Sequence, residues 1–112
     1  MASFSFTTHV AAGRAVIRTR GYLSRTAGEQ LEQEIVRMLG SGVSRFTVNL
    51  HDTDLINSVG ISILIGVIER VRRQGGELAF SELTAVNEEI FRIMGLQRHA
   101  PLLRSDSEAE NP

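Results

Sequence analysis

The sequence predicts an α/β domain: a mixed central β-sheet with an N-terminal hairpin and helices packed against it. Three observations carry this. Apolar residues alternate with polar ones near the N-terminus, as in a half-buried strand. Two longer segments then repeat apolar residues at helical spacing, each closed by a glycine cluster. Short strand-like runs lie between them, giving the order ββαβαβα with a further terminal strand, the pattern of βαβ crossovers.

Phe4, Phe6 and Val10 alternate with polar residues and open the first strand. Gly13 marks a turn, and Ala15 to Thr19 reads as the second strand of a hairpin. Thr26-Ala27-Gly28-Glu29 fits a capping box, in which hydroxyl and carboxylate satisfy two orphan amides. Leu31, Ile35, Met38 and Leu39 follow at helical spacing, and Gly40-Ser41-Gly42 ends that helix. Arg45 to Leu50 reads as a strand and His51 to Asp54 as a polar connector. A second helix is expected from near Ser58 to Arg73 or Gln74, stopped by Gly75-Gly76. Glu77 to Phe80 forms a short strand. Thr84 caps a third helix bearing Val86, Ile90, Phe91, Ile93 and Met94, and Gly95 suits a left-handed position after its end. Leu102-Leu103 adds the last strand. Residues 1–104 are thus expected as one domain and 105–112 as a disordered acidic tail holding Asp106, Glu108 and Glu110.

Composition narrows the function. The chain has 112 residues and a formal charge of −1, with no Cys. No disulfide framework, thiol nucleophile or Cys-based metal site is available. All 12 basic residues are Arg, which removes a Schiff-base or phosphate-loop lysine. The near-neutral balance argues against direct nucleic-acid binding. No apolar stretch approaches the roughly 20 residues of a membrane span, and the start lacks the pattern of a signal peptide. A cytoplasmic protein is expected. His9, His51 and His99 are scattered without metal spacing; His51 beside Asp52 and Asp54 reads as a solvated turn. No catalytic constellation, metal site or cofactor is predicted, so the chain is not read as an enzyme.

The informative segment is Leu55-Ile56-Asn57-Ser58-Val59-Gly60-Ile61-Ser62-Ile63-Leu64. It places Ser58 at or beside the N-cap of the second helix, where a hydroxyl ordinarily accepts from a first-turn amide. At about 100° per residue, Ile61, Leu64, Ile65, Ile68 and Val71 share one face, with Gly60 and Val67 at its edge. The opposite face carries Val59, Ser62, Ile63, Gly66 and Arg70. Small and apolar residues on an outer face near Ser58 suit a docking surface.

Within it Ile56-Asn57-Ser58-Val59-Gly60-Ile61, followed by Gly75-Gly76-Glu77 and by Phe91-Arg92-Ile93-Met94-Gly95-Leu96, resembles STAS-domain proteins, and within them the bacterial anti-sigma factor antagonists. The resemblance runs from about Arg18 to Leu103. The family pattern at the second helix is Asp-Ser-Ser/Thr-Gly, whose first Ser is the phosphorylation site; it falls on Ser58. The resemblance implies a STAS fold and a partner switch. Unphosphorylated antagonist binds an anti-sigma factor that is also a serine protein kinase, releasing sigma factor; phosphorylation at Ser58 breaks the complex, and a serine phosphatase restores it. Asn57, Ser58, Val59, Ser62, Ile63, Gly66, Arg70 and Ser24 are the expected partner-binding residues, in a monomer or weak homodimer. Two positions depart from the pattern: the Asp before the phosphoserine is Asn57, and the Asp of a Gly-x-Leu-Asp stretch is Ser24. Both bear on kinase recognition and on metal-assisted dephosphorylation. The alternative is a non-phosphorylated STAS interaction module in a signalling or transport assembly. A nucleotide site at Leu50 to Ser58 is a third reading, which the missing Lys and glycine-rich loop disfavour.

Overall fold

A computed structural model describes residues 3–109. Strands β1 (Ser5–Ala11) and β2 (Arg14–Leu23) form the expected antiparallel hairpin. They are followed by α1 (Arg25–Gly40), β3 (Arg45–Ile56), α2 (Ser58–Arg73), β4 (Glu77–Ser81), α3 (Ala85–Ile93) and β5 (Leu102–Leu103). Among the described residues the sheet order is β1-β2-β3-β4-β5, with every pair after the first parallel. Each crossover advances one strand in the same direction. Right-handed connections therefore lay all three helices on one face of the sheet.

The core lies between that face and the helices. Ala15, Ile17 and Leu23 of β2, Phe46, Val48 and Leu50 of β3, and Leu78 and Phe80 of β4 point into it. Leu31, Ile35 and Met38 descend from α1, and Ile61, Leu64, Val67, Ile68 and Val71 from α2. Val67 is thus fully in the core face rather than at its edge, while Ile65 is half-buried. Phe91 of α3 meets Phe80 edge to face, ring centroids 5.1 Å apart, a geometry that the ring quadrupoles favour. Val86, Ile93 and Met94 on the same helix are exposed. Thr84 caps α3 as expected, accepting from Asn87 N–H. Gly95 takes φ +83° just past the helix end, a backbone conformation that costs glycine little.

Three elements differ from the sequence reading. The cap of α1 is Ser24, whose Oγ accepts from Ala27 N–H at 3.4 Å, not Thr26. β2 runs on to buried Leu23, so the helix follows it at once and Thr26 lies within the first turn. His51 to Asp54 is not a connector but the continuation of β3. Between Arg18↔Asn49 and Tyr22↔Leu55 the pairing slips twice, each time adding a residue to β3. Two such bulges break the alternation of faces by which a strand is recognised.

The third difference is in the tail. Residues 110–112 lie outside the described residues, but Asp106–Ala109 form a 3-10 turn docked on the helix-free face of the sheet. The Asp106 carboxylate accepts from Asn49 Nδ2 at 3.0 and 3.2 Å, from the Ser81 hydroxyl, and from Arg18 Nη2 at 3.3 Å. Arg14 Nη1 donates to the Ala109 carbonyl. Acidic composition suggested a solvated tail; buried Asn49 and Ser81, polar side chains that need an acceptor, hold it instead. Asp106→Ala is therefore expected to lower stability by about 1–3 kcal/mol in denaturant titration, because it leaves two buried donors unpaired. An unchanged midpoint would show that the turn is not docked.

Candidate switch site at the start of the second helix

The site is built where β3 outruns its neighbour. β4 pairs with β3 as far as Ser81↔Asn49, so among the described residues the last residues of β3 have a ladder partner on the β2 side alone. On the other side Asn87 of α3 substitutes for a strand, its Nδ2 donating to the Thr53 carbonyl at 2.9 Å. Beneath, the Thr53 and Thr19 hydroxyls hydrogen-bond to each other. All three side chains are buried. They hold the overhanging strand end, and with it the turn into α2.

At that turn Asn57 is the N-cap of α2. Its Oδ1 accepts from Gly60 N–H at 2.7 Å, its carbonyl from Ile61 N–H at 3.0 Å, and its own N–H donates to the Leu23 carbonyl at 3.3 Å. Nδ2 donates to the Tyr22 hydroxyl at 2.9 Å. Gly60 is required by contact: a Cβ there would stand 2.4 Å from the Leu23 carbonyl oxygen and 2.9 Å from Leu23 Cδ2. Ser58 is the first helical residue and is exposed. The expected capping role falls to Asn57 instead, and the Ser58 hydroxyl takes part in no hydrogen bond among the described residues. Its carbonyl accepts from the Ser62 hydroxyl at 3.1 Å.

The predicted residues divide. Asn57, Ser58, Val59 and Ser62 share the exposed start of α2, and Ser24 caps the neighbouring helix directly after Leu23. Ile63 is not on an open face. It is half-buried in the seam between α1 and α2, against Gly28, where a Cβ would stand 3.2 Å from three Ile63 carbons. Gly66 is half-buried with open space above it. Arg70 is exposed but about 18 Å along the helix from Ser58, at 1.5 Å per residue. Two further residues join the site: Tyr22, which the sequence did not single out, and Leu55, which opened the informative segment but was not among the expected partner-binding residues. They are register neighbours on β2 and β3, and both are exposed. An exposed aromatic beside the motif was the available signal, hidden because the end of β3 read as a loop.

The chemistry on offer is recognition of an exposed hydroxyl. His51 Nδ1 lies 3.1 Å from Asp52 Oδ1 with both side chains exposed, and no cluster of three potential metal ligands occurs among the described residues. A cavity of about 470 Å³ lies elsewhere, lined in part by Arg14, Thr47, Ala79, Leu103 and Asp106; no predicted site residue borders it.

Residues 5–109 match the STAS domain family. The chain belongs to the STAS family. BtrV of Bordetella bronchiseptica, named as an anti-sigma factor antagonist, is 29% identical over 93 residues, 83% of this chain and 80% of BtrV. An anti-sigma factor antagonist from Mycobacterium paratuberculosis superposes with a TM-score of 0.83 at 19% identity, over 96% of this chain and 92% of that one. The Bacillus cell fate determinant SpoIIAA in its phosphorylated form superposes at 0.74 and 19% identity, over 96% and 97%. At such identities the two structures establish the fold, which is the mixed α/β sheet expected of a STAS domain.

The capping geometry separates two neighbouring side chains of this STAS domain. Asn57→Ala is expected to lower stability by about 0.5–2 kcal/mol through loss of the cap. Ser58→Ala, which removes no bond, should stay within about 0.5 kcal/mol of the parent; paired thermal melts compare them. Ile63→Ala should cost about 1–3 kcal/mol in the same assay, below the roughly 2–5 kcal/mol of a fully buried isoleucine because the side chain is half-buried, whereas an exposed Ile63 would leave the melt unchanged.

Proposed function

We propose that this chain is an anti-sigma factor antagonist that works by partner switching at Ser58. In the unphosphorylated form it binds a serine-kinase anti-sigma factor in the cytoplasm and frees the sigma factor; phosphate on Ser58 breaks that complex and a serine phosphatase renews it. The chain supplies a surface and an acceptor hydroxyl, and the kinase supplies ATP. The observation that carries the reading is that Asn57 performs the capping, which leaves the Ser58 hydroxyl exposed and structurally idle. Kinship with BtrV supports the antagonist role.

Physics separates folding from binding at this position. Phosphate adds about −1.5 to −2 charge. The start of a helix tolerates it, because first-turn amides and the dipole favour an anion there. A partner packed over Tyr22, Leu55, Ser58 and Val59 does not, since a dianion would have to be desolvated. A loss of about 2.7 kcal/mol in binding is a hundredfold in affinity.

The test is intact mass of the protein recovered from its own cells across growth and stress conditions, with Ser58→Ala as control. A species one phosphate heavier, present in the parent and absent in the control, is expected. A single unmodified mass throughout would instead support a constitutive interaction module in a signalling or transport assembly. Ser58→Asp should fold like the parent and lose binding to the kinase; full binding by that variant counts against the switch.

A further inference from the structure

The two ends of the Asn57 amide are used differently, and the difference propagates to Tyr22. Oδ1 must face Gly60 N–H, because the reverse orientation would set an NH₂ against an N–H. Nδ2 therefore faces the Tyr22 hydroxyl, 2.9 Å away. An amide nitrogen donates and does not accept. The Tyr22 oxygen is thus the acceptor in this bond, and its own hydrogen remains available to another group. A carboxylate at position 57 would reverse this, drawing the hydroxyl hydrogen to itself. The exposed edge beside Ser58 consequently offers the Tyr22 O–H and the second Nδ2 hydrogen, neither of which has an acceptor among the described residues.

We propose that Tyr22, oriented through Asn57, is a positioning residue for the phosphorylated state: its hydroxyl donates to the phosphoryl group on Ser58. The inference rests on the reading of Ser58 as the modified residue, and adds how this chain holds the modification with an amide where the family has a carboxylate. The charged residues on the surrounding elements are Arg20 on β2, Arg25 and Glu29 on α1, and Asp54 on β3. None of them hydrogen-bonds or ion-pairs with Tyr22, Asn57 or Ser58 among the described residues. The direct polar contacts at this edge are therefore those of the hydroxyl and the amide, and the four charges are common to every variant compared below.

Phosphoserine installed at position 58 of the full chain during translation tests this without any kinase, so the outcome is independent of whether cells phosphorylate Ser58. The ³¹P resonance is titrated against pH. Donors to the phosphate favour the dianion, so the second ionisation should fall below the usual value of about 6. Tyr22→Phe should raise the midpoint by about 0.4–1 unit, the shift that one net hydrogen bond produces. In an Asn57→Asp background the midpoint should start higher, and Tyr22→Phe should then change nothing, because the hydroxyl is already engaged by the carboxylate. Tyr22→Leu, which also lacks the hydroxyl, repeats the comparison if the phenylalanine variant does not fold. Equal midpoints with and without the hydroxyl overturn the proposal, and so does an equal Tyr22→Phe shift in both backgrounds, since the hydroxyl would then act independently of Asn57.

Discussion

The approach of the first turn of α2 to the end of β2 is the constraint on which the site depends. Gly60 passes so near the Leu23 carbonyl that no side chain fits between them. The same carbonyl accepts from Asn57 N–H. With the backbone pinned at these two points, the Asn57 side chain has one productive direction, back onto Gly60 N–H. Ser58 is then the first residue beyond the cap. Its side chain has nothing to hold and projects outward. An idle hydroxyl beside a rigid cap follows from how closely a helix can approach a strand, and it needs no further device.

A rigid cap in turn needs a rigid strand end, which a sheet that has lost a neighbour does not supply by itself. Beyond Asn49 the β4 side of β3 has no ladder among the described residues. Unpaired backbone carbonyls at such a place would be costly if buried. Asn87 meets one of them from the first turn of α3, and the Thr19–Thr53 pair fixes the strand from beneath. Asn87 Oδ1 has no hydrogen-bond partner among the described residues. Thr19, Thr53 and Asn87 thus form one buried polar group under the turn, separate from the Asn49 and Ser81 pair that holds Asp106 on the opposite face.

How much of this the sequence disclosed depended on whether each signal was local. Thr84 as a cap and Gly95 as a left-handed residue are decisions taken within one turn of helix, and both were legible. The second helix was legible for the same reason, since its apolar period is long and regular. The overhang of β3 was not, because two bulges and a one-sided ladder leave His51 to Leu55 without alternation, and only the partner strand reveals the pairing. Ile63 failed differently. A helical wheel separates a sheet-facing side from the rest but carries no information about a second helix alongside. Gly28, which makes room for Ile63, lies 35 residues away in sequence. Asp106 shows the same blindness: an acidic tail reads as solvated until the buried amide and hydroxyl that require it are in view.

These omissions share a direction, and it bears on how the site is divided. The residues that recognition would use (Tyr22, Leu55, Ser58 and Val59) come from two strands and a helix start and meet only in the fold. The residues that hold the fold there, Leu23, Thr53, Gly60 and Asn87, are buried. Asn57 alone belongs to both sets. Its oxygen caps the helix while its nitrogen reaches the exposed Tyr22. An aspartate would cap equally well, so exchanging carboxylate for amide leaves the helix start unchanged. What changes is the sign of the edge beside Ser58: an anion that would repel a phosphate becomes a donor that can hold one. Position 57 can therefore vary in charge without disturbing the helix start, and on the proposed reading of Ser58 that exchange would change how this chain holds a phosphate while its architecture stays the same.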